Sequence, residues 1–114
     1  MWRTGSGPEI FDTLRLELRR GSLTLAVLAE LRSERYGYTL RKALADLGLE
    51  IDEGTLYPLL RRLESQGLLQ SDWRIVDEAR PRRYYIISMQ GRAVLNKLKR
   101  EWSTMAETMK QMLA

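Results

Sequence analysis

Two helix stops of one kind, Leu47-Gly48-Leu49 and Gly67-Leu68, bracket the stretch DEGTLYPLLRRLESQG, residues 52–67. A Gly followed by an apolar residue ends a helix by entering the left-handed region and packing the next side chain onto the last turn. Residues 49–53 are then a tight link between two short helices, the arrangement a helix-turn-helix requires. Within the second helix Leu56, Leu59, Leu60 and Leu63 recur at helical spacing, and Asp52 is a good N-cap. Gly54 and Pro58 run against this pattern, because a helix interior tolerates Pro at a cost of about 3 kcal/mol and Gly at about 1 kcal/mol. Two readings fit. The helix starts at Asp52 and carries Pro58 inside it, or it starts near Thr55 and leaves Pro58 in a first turn whose N–H groups have no partner. In either, the leucines fall within about 60° of Leu56, and Gly54, Pro58, Arg61 and Ser65 collect opposite, with Tyr57 and Arg62 flanking.

The remaining elements follow from the same patterns. Ile10, Phe11, Leu14 and Leu18 predict a short amphipathic helix over 9–19. Gly21 interrupts it, and Ser22 caps a second helix, SLTLAVLAELRSE, which is apolar nearly all round and should be the most buried. A third helix spans 36–48 with Leu40, Leu44 and Leu47 inward. LLQSDWRIV (68–76) and RRYYIIS (82–88) read as two antiparallel strands, with Tyr84 and Tyr85 on opposite faces. Ser88 caps a last helix over 89–113, whose Leu95, Leu98, Trp102, Met105, Met109 and Met112 form a heptad seam. A helix-turn-helix followed by a hairpin is a winged helix. The expected fold is mainly α with a small β-hairpin: a winged helix-turn-helix with an N-terminal helix and a long C-terminal dimerisation helix. The expected divisions are a flexible stretch 1–8, a DNA-binding unit 9–88 and a dimerisation helix 89–114.

Chemistry is constrained from the other side. The 114 residues include no Cys and no His, which removes disulfides, thiol nucleophiles, imidazole bases and Cys- or His-ligated metal sites. No phosphate-cradling glycine loop, nucleophile elbow or dinucleotide fingerprint is present. The expectation is a non-enzyme with no cofactor and no metal. The longest apolar run, LTLAVLA, falls far short of the roughly 20 residues that span a bilayer, so a cytoplasmic protein is expected. A net charge of +4 permits nucleic-acid binding without requiring it.

The outward face of 52–67 points to such binding. A recognition helix reads base edges with its N-terminal part. Gly there lets backbone approach phosphate, Pro offers a rigid apolar surface for a thymine methyl, and Arg61 and Arg62 reach phosphate or guanine. Arg80, Arg82 and Arg83 crowd the hairpin tip, which suits backbone or minor-groove contact. The competing reading is a winged helix that serves as a protein-interaction module without specific DNA binding. Apolar residues would then be expected on the Tyr57/Arg61 face.

These residues resemble small members of the PadR family of bacterial transcriptional regulators. The similarity runs through RGSLTLAVLAEL (20–31), YGYTL (36–40), DEGTLYPLLRRLESQGLL (52–69), PRRYYIIS (81–88), Gly91-Arg92 and the REW of the seamed helix. Ser88 stands where the family usually has Thr, and Ala79-Arg80 where its wing often has Gly. The resemblance implies a homodimeric repressor on a pseudo-palindromic operator in double-stranded DNA, released by a small, often aromatic, effector. It implies DNA contacts at Thr55, Tyr57, Pro58 and Arg61 with Arg62 nearby, at Tyr38 supported by Arg41 or Lys42, and at Arg80, Arg82 and Arg83. The seam either packs on its own domain or joins two copies, with helix 9–19 crossing the partner's seam. Trp102 either fills that interface or stacks on a planar effector against a deformable methionine lining.

Overall fold

The computed structural model describes residues 7–78 and 80–114. The order is α1 (Gly7–Glu30), β1 (Arg35–Tyr36), α2 (Gly37–Asp46), α3 (Glu53–Ser65), β2 (Leu69–Arg74), β3 (Arg82–Ile87) and α4 (Met89–Leu113). The three strands form one antiparallel sheet in the order β1-β3-β2, with Arg74 opposite Arg82 and Leu69 opposite Ile87. This is a winged helix-turn-helix with a long helix at each end.

The two expected N-terminal helices are one. α1 runs unbroken through Gly21 and Ser22, and it takes in Gly7 and Pro8 from the stretch expected to be flexible; residues 1–6 lie outside the described residues. Gly21 is exposed with nothing within 4 Å of a Cβ built on it. Its cost in a helix interior, about 1 kcal/mol, is small beside the packing of the leucine-rich turns that follow. α1 stops at Glu30, four residues before the expected end at 34. The chain then forms the two-residue strand β1, which sequence patterning does not reveal: Arg35 pairs with Tyr85, and Tyr36 with Tyr84.

Both Gly-Leu stops close as anticipated. Gly48 and Gly67 have φ of 90° and 81°. The Leu49 amide donates to the Leu44 carbonyl and the Gly48 amide to that of Ala45. The Leu68 and Gly67 amides repeat the pattern on Leu63 and Glu64. This pairing satisfies the last carbonyls of each helix. α2 itself is two residues shorter than expected at its C-terminal end, so Leu47 becomes its C-cap and is exposed instead of facing inward.

One core gathers Leu23, Val27 and Leu28 of α1, Leu31 just beyond its end, Leu40 and Leu44 of α2, the four leucines of α3, Leu69, Tyr85 and Ile87 of the sheet, and Leu95 of α4. Val27, Leu28 and Leu31 are completely buried, as the all-round apolar pattern required. Of the tyrosine pair, Tyr85 faces the core and Tyr84 the other side of the sheet. Leu95 departs from the seam expectation. It is buried in its own domain, Leu98 packs partly against the same core, and only from Trp102 onward is the seam exposed. α4 therefore begins as a core helix and ends as a free one.

Ser88 makes that first turn. Its amide donates to the Leu68 carbonyl and its hydroxyl to the Gly67 carbonyl, while the hydroxyl accepts from the Gly91 amide. One small side chain caps α4 and ties it to the end of α3. The approach is close: a Cβ on Gly91 would lie 2.1 Å from the Leu68 carbonyl oxygen. Two Gly→Ala substitutions should thus have opposite signs. Gly91→Ala should destabilise by about 1–3 kcal/mol, because the obstacle is backbone. Gly21→Ala should stabilise by roughly 0.5–1 kcal/mol, because the site is open helix. Urea unfolding of the two variants checks both.

Candidate nucleic-acid interface

α3 starts at Asp52. Its carboxylate accepts from the Thr55 amide at 2.9 Å, and the Asp52 carbonyl accepts from Leu56 at 3.0 Å. Pro58 therefore lies inside the helix. The residue that a helical Pro deprives of a hydrogen bond, and whose carbonyl its ring crowds, is the one four positions earlier. Here that residue is Gly54, exposed and with nothing within 4 Å of a built Cβ. The two awkward residues are thus a matched pair on the outer face. Gly54 has the backbone freedom to tilt its peptide away from the ring, and its carbonyl points where no i+4 donor exists. Leu56, Leu59, Leu60 and Leu63 hold the opposite face in the core, and Pro58, Arg61 and Arg62 are exposed.

Tyr57 is placed differently from the expectation of a free reading residue. It is half-buried, and its ring lies so close to the start of α2 that a Cβ on Gly37 would sit 2.5 Å from the hydroxyl. Gly37 is the space Tyr57 occupies, and the contact locks α3 against α2. Arg41 is likewise engaged: its guanidinium pairs with Glu53 at 2.8 Å and its Nε donates to the Ile51 carbonyl at 3.4 Å, bracing α2 against the first turn of α3. Tyr38 and Lys42, on the same helix, are exposed, as is Thr55.

The wing arginines divide. Arg80 is exposed at the tip. Arg83 is committed within the chain: it pairs with Glu64 of α3 at 2.7 Å, donates to the Ser71 hydroxyl at 3.0 Å, and lies over the rings of Tyr85 and Trp73. Arg82 is half-buried with its guanidinium 4.5 Å from the centre of the Tyr36 ring. Arg74, which no sequence motif singled out, completes the set. It forms a forked pair with Glu34, one arm at 2.6 Å, reaches Asp72 at 3.2 Å, and stacks on Tyr84 at 4.9 Å. Glu34 first, then Asp72, push the Arg74 pKa further above its already high ordinary value. Tyr36 joins this stack by an edge contact with Tyr84 and a stacked contact with Tyr38. A chain of planar groups therefore runs from the start of α2 to the base of the wing and sets the angle between them. Alternation along β2 could have placed Arg74 on that face. Its partner Glu34, 40 residues away, has no local signal.

At the wing tip Asp77 and Glu78 have φ of 52° and 60°. Both lie in the left-handed region, within the seven-residue connection 75–81 that follows the Arg74–Arg82 pair. Asp tolerates that region better than Glu. Trp73 on β2 and Ile75 just beyond it are exposed.

The Asp52 cap offers a direct test of this geometry. Hydrogen bonding from Thr55, side chain first and amide second, holds the Asp52 carboxyl below its ordinary 3.8. A lowered folded-state pKa stabilises above the unfolded value and loses that contribution as pH falls through the folded one. Asp52→Ala should lower Tm at pH 7. Asp52→Asn, an equally good cap, should retain most of the Tm and show less loss between pH 5 and pH 3 than the native chain. Thermal melts across that range measure both.

Comparison with known proteins agrees with this architecture. The profile of the transcriptional regulator PadR-like family matches residues 24–97. A transcriptional regulator of Mycobacterium tuberculosis, Rv3488, is 38% identical over 91 residues, spanning 79% of this chain and 84% of the relative. The crystal structure of a PadR family transcriptional regulator from Eggerthella lenta superposes with a TM-score of 0.87 at 44% identity, covering 93% of this chain and 94% of the other. A PadR-like transcription factor from Bacteroides fragilis superposes at 0.74 with 30% identity, covering 88% and 98%. Family profile, curated relative and solved structures coincide on one fold and one role, and the chain belongs to the PadR-like family of transcriptional regulators.

Proposed function

We propose that this protein is a homodimeric, sequence-specific repressor that reads a pseudo-palindromic operator with α3 and leaves it when a small effector binds. The observation that carries the DNA half is the outer face of α3, where Gly54, Pro58 and Arg61 stand exposed on a helix whose opposite side is locked in the core. Around it Thr55, Arg62, Tyr38 and Lys42 supply further contacts, and Arg80 and Arg82 extend them along the wing. Tyr57, Arg41 and Arg83 act chiefly by holding these elements in place, since each is occupied within the chain. Residues 9–88 form the DNA-binding unit and 89–114 the dimerisation helix, with the cytoplasm as the place of action.

Two exposed apolar faces support the dimer. Ile10, Phe11, Leu14 and Leu18 are exposed on α1, and Trp102, Met105, Met109 and Met112 on α4. A monomer rarely leaves so much apolar surface in contiguous stripes. The α1 stripe covers the partner's α4, and Leu98 extends that contact at the domain edge. Trp102 gives the interface a flat polarisable surface on which a planar effector can stack.

Binding to the DNA upstream of its own gene, measured across salt concentrations, tests the first half. Affinity should fall steeply with salt, and operator should be preferred over random DNA. Arg61→Ala should reduce that preference by about 1–3 kcal/mol, whereas Arg80→Ala should weaken both DNAs alike and lower the salt slope by about one. A flat salt response, or equal affinity for random DNA, rejects the specific-regulator reading. Trp102→Ala should shift sedimentation toward monomer at micromolar concentration; an unchanged dimer would remove Trp102 from the interface.

A further inference from the structure

A large groove among the described residues lies between α1 and α2, closed at one end by segment 49–52 and Thr55 of α3. Its volume, about 840 Å³, is within the range of small-molecule sites, about 300–1,000 Å³. Leu16, Leu23, Ala45, Leu49 and Ile51 make its apolar surface. Helical phase separates it from the dimer stripe. Taking about 100° per residue from Ile10, the residues Phe11, Leu14 and Leu18 lie within about 100°, whereas Leu16 and Leu23 lie near 240° and 220°. α1 thus presents a second apolar face, turned toward the helix-turn-helix.

That face is bordered by cations. Arg19 and Arg20 line the groove from α1 and Lys42 from α2, and none has a carboxylate partner among the described residues. Arg41 also lines it but is held by Glu53. The acids on the wall are Glu50 and Asp52, and the Asp52 carboxylate accepts from the Thr55 amide at the end of the groove. An apolar floor bordered by Arg19, Arg20 and Lys42, with Glu50 and Asp52 confined to the 49–52 end, leaves an excess of positive charge complementary to a molecule with an apolar body and one anionic group.

We propose that the groove binds a small amphiphilic anion, an alkyl or aryl body bearing a carboxylate or sulfonate, and that occupancy excludes DNA. The exclusion rests on the reading above, because Tyr38, Lys42 and Thr55 border the groove and belong to the DNA-contact face. Regulation at this site is direct competition at the helix-turn-helix, independent of any effector stacked on Trp102.

The test uses the full chain without DNA and the probe 1-anilinonaphthalene-8-sulfonate, followed by fluorescence. Saturable enhancement should appear, displaced by dodecanoate and at least about tenfold less well by dodecyltrimethylammonium, which has the same tail and the opposite charge. Ala45→Trp fills the groove from an exposed helix position, and Arg19→Glu with Arg20→Glu reverses its charge. Each should weaken the probe by about tenfold or more, while Trp102→Phe should retain it. Dodecanoate should then release operator DNA from the native chain and not from Ala45→Trp. Absence of saturable binding, equal displacement by both detergents, or loss of the probe in Trp102→Phe alone overturns the proposal. So does an Arg19/Arg20 charge reversal that lowers the DNA salt slope with no probe bound by the native chain, which makes the groove a phosphate track. Probe failure with operator binding intact removes only this site; operator failure with the probe bound removes only the regulator reading.

Discussion

Burial of the α3 leucines is the constraint on which the rest depends. Leu56, Leu59, Leu60 and Leu63 share one core with Val27 and Leu28 of α1 and with Leu31 just after it. Each buried leucine contributes on the order of 1.5–3 kcal/mol. Four on one side are enough to hold a helix that contains Gly54 and Pro58 on the other. The core therefore supplies the stability that releases the outer face from being a good helix surface. The Gly–Pro pairing at i and i+4 then gives a rigid, sparsely decorated stretch of backbone, with Arg61 one turn further on.

Charge in this chain is partitioned by the same logic. Arg41, Arg74 and Arg83 each meet a carboxylate on another part of the chain, Glu53 of α3, Glu34 in the link between α1 and β1, and Glu64 of α3. These pairs are partly exposed, and such pairs add little stability. Their value is geometric: they set α2 against α3, the wing against the link between α1 and β1, and the wing against α3. Lys42, Arg61, Arg62 and Arg80 have no such partner among the described residues and stay exposed. A field of unpaired cations on a braced scaffold is what attracts and orients a polyanion.

The long helices divide function between their halves. The C-terminal half of α1 and the first turns of α4 complete the domain core through Leu28 and Leu95. The opposite halves carry exposed apolar residues that the core does not use. The heptad seam of α4 is real as a pattern, yet its first residue serves the chain's own interior. Periodicity records that a face is apolar and not which partner covers it.

Locally encoded features were therefore legible. The Asp52 and Ser88 caps, the two Gly-Leu stops, the inward leucines of α3 and the alternation of Tyr84 and Tyr85 each depend on neighbours within a few residues, and the structure has them as read. The tertiary structure alone decided the rest. It carried α1 through Gly21, because packing on either side outweighs one glycine. It exposed Leu47 by ending α2 early, created β1 by supplying β3 as a partner, and turned Tyr57 onto Gly37. It also sorted the arginines: 19 residues separate Arg83 from Glu64 and 40 separate Arg74 from Glu34, distances over which charge in a sequence carries no address. Residue order determined which faces were apolar, capped or cationic. Only folding determined which of those faces met each other and which were left for DNA.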